Sequence, residues 1–235
     1  MTLLLAATIP VLVFLYYIFK KDKNREPISL LLKCFFGGFL ALIIALVFDF
    51  PIMNIGAGIN DPFSKSFFEA FFVAGFPEEL AKFIILYWIV WKNKFFDEHY
   101  DGIVLAVFVS MGFAFIENIL YVLENGMQTA IARAIFAIPG HGLFAITMGY
   151  YFSLAKHENK SSMKKYLLLS ILTPALLHGT YDFFLMYASN LENCNDVTVG
   201  LIFILFFVFF IFMWKYGIRK INKHITKDGQ RGINL

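Results

Sequence analysis

The sequence is poor in charge and poor in cysteine, and it has no internal repeat, low-complexity linker or segment resembling a separate soluble domain. Only 16% of its 235 residues are charged, against about 25% in a typical soluble domain. Two cysteines, Cys34 in an apolar run and Cys194 in a polar loop, exclude a disulfide framework and offer no paired metal-ligand spacing. What is abundant is apolar: 59% of the residues are hydrophobic and 30 are phenylalanine. One soluble core cannot bury that many rings, so the excess must face lipid. Residues 1–235 therefore read as a single transmembrane domain.

A membrane-spanning helix needs about 20 mostly apolar residues. Seven stretches meet this approximately: 3–19, 30–50, 66–91, 101–123, 131–155, 166–187 and 197–216. The expected fold is an all-α, polytopic helix bundle. The first stretch has no basic residue before it and runs into Lys20 and Lys21, so it reads as a retained helix rather than a cleaved signal. Seventeen of the 20 basic residues fall in alternate loops and the C-terminal tail. Cytoplasmic loops collect Lys and Arg, which predicts the N-terminus outside and the C-terminus inside. The basic tail is accounted for by anionic lipid headgroups and calls for no nucleic acid.

Against this apolar background, ionisable residues inside the spans stand out, because each costs about 2.5–3.5 kcal/mol near the bilayer centre on the insertion scale. The third span carries Pro77-Glu78-Glu79 with Lys82. Helical spacing lets one lysine reach either carboxylate, yet one cation cannot neutralise both. The fourth carries Glu117-Asn118, with no basic residue within a turn of the glutamate. The fifth places His141 between two glycines, and the sixth has His178 and Asp182 four apart, on one helical face. Within the spans, acids exceed Lys82 and the nearby Arg133 by two. Protonated groups or a bound cation must make up the difference. At about 1.5 Å per residue, all six acids and histidines lie from the midplane outward, on four different helices. A shared pocket opening to the outer face follows, with residues 66–187 as the catalytic core.

Glu78-Glu79 with Lys82, Phe113 ahead of Glu117-Asn118, His141 after Pro139-Gly140, and the His178/Asp182 pair together resemble the PrsW family of intramembrane proteases, which is related to the CAAX prenyl-protein proteases. The resemblance runs from about Phe76 to Asp182. Two departures separate this chain from the CAAX proteases: Glu117 stands where their second motif has histidine, and Lys82 replaces an arginine one residue further on. The resemblance implies site-1 cleavage of a single-pass anti-sigma factor on its extracytoplasmic side, as part of regulated intramembrane proteolysis in a stress response.

Two chemistries stay open. In one, His141, His178 and Glu117 or Asp182 hold Zn²⁺ while Glu78 or Glu79 acts as general base. In the other, no metal takes part: Glu78 or Glu79 activates water, and His178 with Asp182 stabilises the oxyanion. Lys82 and Asn118 support the site in either. The main rival reading is a proton- or ion-coupled transporter built on the same cluster. A scaffold that uses the polar residues for helix packing, and a peptidase of the wider group with a different substrate, are the others.

Overall fold

The computed structural model describes residues 1–191 and 196–231, so Cys194 lies outside the described residues. Among these all of the regular secondary structure is helical. Eight α-helices follow one another: α1 (Thr2–Lys21), α2 (Ile28–Gly56), α3 (Pro62–Phe68), α4 (Phe76–Val90), α5 (His99–Ile135), α6 (Ala137–His157), α7 (Met163–Asn190) and α8 (Asp196–Arg231). A π-helical segment, Glu69–Gly75, joins α3 to α4, and a 3₁₀ turn, Lys160–Ser162, precedes α7. Most helices run past the apolar stretches that announce them, because polar ends continue the hydrogen-bond ladder beyond the hydrocarbon-length core.

Among the described residues, five helical stretches are long and apolar enough to cross a membrane: Thr2–Lys21, Ile28–Gly56, His99–His157, Lys160–Asn190 and Asp196–Gln230. The third of these, at 59 residues, contains both α5 and α6, which meet at Phe136. The α3–α4 stretch is absent from the five; α4 has 15 residues and carries Glu78, Glu79 and Lys82.

The π-helical segment has a local cause. Pro77 lacks an N–H, so the ladder entering α4 cannot keep its regular spacing. The amide of Phe76 instead donates five residues back, to the Phe71 carbonyl. Single π turns of this kind cluster at functional sites, and this one delivers Glu78 and Glu79 on the first turn of α4.

Helix α5 is the centre of the molecule, packed by α1, α2, α4, α6 and α8. Its residues 99–107 are buried on every face, as expected of a helix surrounded by other helices. Close approach depends on glycine. A Cβ on Gly112 would run into the Phe35 backbone of α2, and one on Gly149 of α6 would meet the Gly102 backbone of α5. The outer helices present apolar side chains outward, among them Leu12, Val13, Ile43, Val47, Ile204 and Val208, all more than half exposed. Lipid is the solvent for such a surface.

Candidate active site

Helix α4 places Glu78, Glu79 and Lys82 on one face at spacings of three and four. Lys82 Nζ donates to Glu78 Oε2 at 3.0 Å and to Glu79 Oε1 at 2.9 Å. The ammonium also lies 3.3 Å from His141 Nδ1 and 3.9 Å from the centre of the Phe113 ring. Both Lys82 and Glu79 are wholly buried. Charges out of water carry a desolvation cost that only close pairing and further hydrogen bonds offset, and the lysine has all of its contacts filled. Glu79 does not: its Oε2 is buried with no hydrogen-bond partner.

Helix α7 brings in the second half. His178 Nδ1 lies 3.1 Å from Glu79 Oε1 and 4.0 Å from Glu78 Oε2, while Nε2 lies 3.2 Å from Asp182 Oδ2. Each ring nitrogen thus faces a carboxylate, and a ring with two N–H groups answers both. The imidazole is stacked on Phe144 of α6, 4.6 Å between centres.

His141 bridges the α4 cluster to α5. Because its Nδ1 faces an ammonium, that nitrogen is the acceptor, and Nε2–H donates to Glu117 Oε2 at 2.9 Å. Glu117 Oε2 also accepts from Arg133 Nη2 at 2.6 Å. Arg133 Nε donates to Asn118 Oδ1 at 2.8 Å, and Asn118 Nδ2 donates to the Ala7 carbonyl of α1 at 2.7 Å. Asn118 therefore orients Arg133 rather than Glu117 itself.

The sequence-predicted residues thus converge: all six acids and histidines, with Lys82 and Asn118, form one connected network from four helices. Glu78, Glu117, Arg133, His141, His178 and Asp182 line a cavity of about 420 Å³. Its far wall is apolar, with Leu185, Met186, Phe203, Phe206 and Phe207. Glu79 and Lys82 lie behind the lining. Four carboxylates face two fixed cations, Lys82 and Arg133, so with His178 doubly protonated one negative charge stays unmatched.

For a metal, the donor atoms that converge are those of Glu78, Glu79 and His178, all within 4.8 Å of one another. Of the expected His141, His178 and Glu117 or Asp182, His141 has its two nitrogens beside Lys82 and Glu117, with its ring 5.5 Å from that of His178. The Glu78/Glu79/His178 group suits a divalent ion chemically: one imidazole, two carboxylates, an orphaned Glu79 oxygen, and Asp182 behind the histidine, the outer carboxylate common to metal-bound imidazoles.

Arg133 is the site residue that loop assignment conceals. Counted along the sequence it is a charge at the outer edge of a span, and only the fold carries it back to Glu117. Tyr181 is buried against Phe144 and Phe206, and so walls the cavity.

Similar sequences are known. Residues 26–214 match the model of the PrsW family intramembrane metalloproteases. The chain is 38% identical over 231 residues to Protease PrsW of Clostridioides difficile, an alignment covering 95% of this chain and 92% of that protein. It is 43% identical over 188 residues to Protease PrsW of Oceanobacillus iheyensis, covering 79% and 83%. Against Protease PrsW of Bacillus subtilis it is 36% identical over 223 residues, 93% of each. No solved structure matches the chain. The transporter reading finds no support among these relatives, and the enzyme reading does. This chain belongs to the PrsW family of intramembrane metalloproteases.

Proposed function

We propose that this enzyme performs the site-1 cleavage of a membrane-anchored, single-pass anti-sigma factor on its extracytoplasmic side, with Glu78 receiving the proton of the attacking water. The observation that carries the reading is the cavity itself. Five ionisable side chains from α4, α5, α6 and α7 meet Arg133 at one opening, in a chain whose outer surface is apolar. Structural polar residues would be expected to pair locally and leave no such space.

The two glutamates separate by position. Glu78 reaches the cavity, and Glu79 does not. A base must touch the water it activates, so Glu78 takes that role. Glu79 holds Lys82 and the Nδ1 side of His178, fixing both. Without a metal, the imidazolium of His178, held between Glu79 and Asp182 and stacked on Phe144, stabilises by its charge the oxyanion that forms as the peptide carbonyl is attacked. Arg133 and His141 hold Glu117 at the rim, and the phenylalanines of α8 receive the apolar side chains of the substrate.

In a metal-bound form, which would replace the roles just given to Glu78 and His178, Glu78, Glu79 and a singly protonated His178 would hold the family's metal. A bound Zn²⁺ supplies Lewis acidity and lowers the pKa of its water to about 7. Lys82 and Asp182 then set the charge and orientation of those three donors.

Seven membrane crossings, with the α3–α4 stretch as the third and α5 and α6 as the fourth and fifth, put this opening towards the outside of the bacterial cytoplasmic membrane. The distribution of basic residues supports that direction. In reconstituted vesicles with candidate single-pass anti-sigma factors, the parent chain is expected to cut one of them outside the membrane. Undiminished turnover by a Glu78→Ala/Glu79→Ala double variant would overturn the assignment.

A further inference from the structure

A second acidic group lies away from the cavity, where the α1–α2 connection meets the start of α5. Asp22, Glu98 and Asp101 each offer a carboxylate oxygen, and the three oxygens lie within 4.8 Å of one another. Two oxygens on one calcium ion, at about 2.3–2.6 Å from it, are at most about 5 Å apart. Glu26 stands beside Asp22 and Asp101, and burial together with those neighbours raises its pKa well above the usual carboxylate range.

Half of this group has an ordinary explanation. Glu98 is the N-cap of α5 and Asp101 its N3 residue, and the two form a reciprocal capping box, with the positive end of the helix dipole beside them. Asp101 Oδ2 accepts from the amides of Asp97 and Glu98, and Glu98 also accepts from Asn24.

The other half has no more than a proton shared between the Asp22 and Glu26 carboxyls. Asp22 is 4% exposed and Glu26 5%, and all four of their carboxylate oxygens are buried with no hydrogen-bond donor from any other residue. Asp22 is moreover the C-cap of α1, where the dipole disfavours negative charge. Among the described residues no lysine, arginine or histidine nitrogen lies within 4.0 Å of any of these carboxylates. Two basic side chains flanking Asp22 and Glu26 in sequence lie over rings, Lys21 over Tyr17 and Arg25 over Phe19.

We propose that Asp22, Glu26, Glu98 and Asp101 bind a hard divalent cation, of the Mg²⁺ or Ca²⁺ class, that ties the α1–α2 connection to the N-terminus of α5. The donor set is all oxygen and contains no imidazole or thiolate, which favours those ions over zinc. The site is distinct from the Glu78/Glu79/His178 group and does not depend on how that group works.

The test uses the purified full chain in detergent, stripped with chelator and titrated with Ca²⁺ and with Mg²⁺. One saturable site is expected, together with a rise in Tm on the order of 5 °C at about a hundred-fold excess over Kd. Tb³⁺ bound there should luminesce by transfer from neighbouring Tyr100, and Ca²⁺ should quench that signal by displacing it. Asp22→Asn/Glu26→Gln should weaken binding at least about tenfold and abolish the Tm rise. Absence of saturable binding in the parent chain, or undiminished binding in the double variant, overturns the proposal and leaves a proton-sharing carboxyl cluster. Should the double variant not accumulate, Asp22→Asn alone gives the same two readings.

Discussion

Arg133 Nη2 lies 2.6 Å from Glu117 Oε2 although both belong to α5 and sixteen residues separate them. In a straight helix their Cα atoms would stand about 24 Å apart, beyond any side-chain reach. The chain reverses between them at Gly126, and the arm after it folds back so that Ala130 packs on Val122 and Ala7. Arg133→Gln should therefore strip Glu117 of its guanidinium partner and lower stability by on the order of 3 kcal/mol. Cleavage should be lost with it. Adding Glu117→Gln should recover most of the stability in thermal unfolding without restoring turnover, since the charge is then gone from both sides.

The reversal itself rests on one backbone conformation. Gly126 has φ 79° and ψ −161°, a region that essentially only glycine occupies and that costs other residues about 1–3 kcal/mol. Nothing lies within 4 Å of a Cβ built there, so the cost is purely torsional. Gly126→Ala and Gly126→Asn should lower Tm to a similar extent, because asparagine's tolerance of the left-handed helical region does not extend to this ψ. Gly112→Ala should be more damaging than either, since its Cβ would press on the Phe35 backbone and separate α2 from α5. Thermal unfolding of the three variants side by side checks the order.

These two cases mark where sequence stops being sufficient. Contacts within one helical turn were legible: the reach of Lys82 to both glutamates and the His178/Asp182 pair follow from spacings of three and four. The excess of carboxylates was legible too, because charge is additive whatever the fold. Arg133 was not, because its partner depends on a reversal whose only local sign is Asn125-Gly126, a pair equally at home in an ordinary loop. Nor was the division of labour between Glu78 and Glu79, since adjacent residues diverge by about 100° around a helix and only the packing of α7 and α8 decides which one meets space. The π-helical entry to α4 was half legible. Pro77 announced a lost hydrogen bond, but not that the ladder would answer it by lengthening to five residues.

Lys82 is buried between two carboxylates, an imidazole and a phenylalanine ring. Lys82→Met keeps the apolar stem and deletes the charge, leaving the His178 imidazolium to face both Glu78 and Glu79. A loss of about 3–5 kcal/mol is expected, seen as reduced abundance in the membrane. Lys82→Met/Glu79→Gln should accumulate better than Lys82→Met alone, yet remain inactive. Equal abundance of Lys82→Met and the parent chain would mean that the ammonium is not what holds this cluster.

Asp182 tests the metal reading without touching the three donors. Its Oδ2 faces His178 Nε2 at 3.2 Å, and loss of such an outer carboxylate typically weakens metal affinity or activity by about 10–100-fold. Asp182→Asn should thus bind zinc more weakly by about that factor in equilibrium dialysis, with turnover returning as zinc is raised. Chelation of the parent chain should remove zinc and cleavage together, and zinc should restore both. Full turnover by protein shown to contain no metal would eliminate the metal role. The proton steps would then rest on Glu78 and His178 alone, and Asp182→Asn would lower turnover to an extent that added zinc does not change.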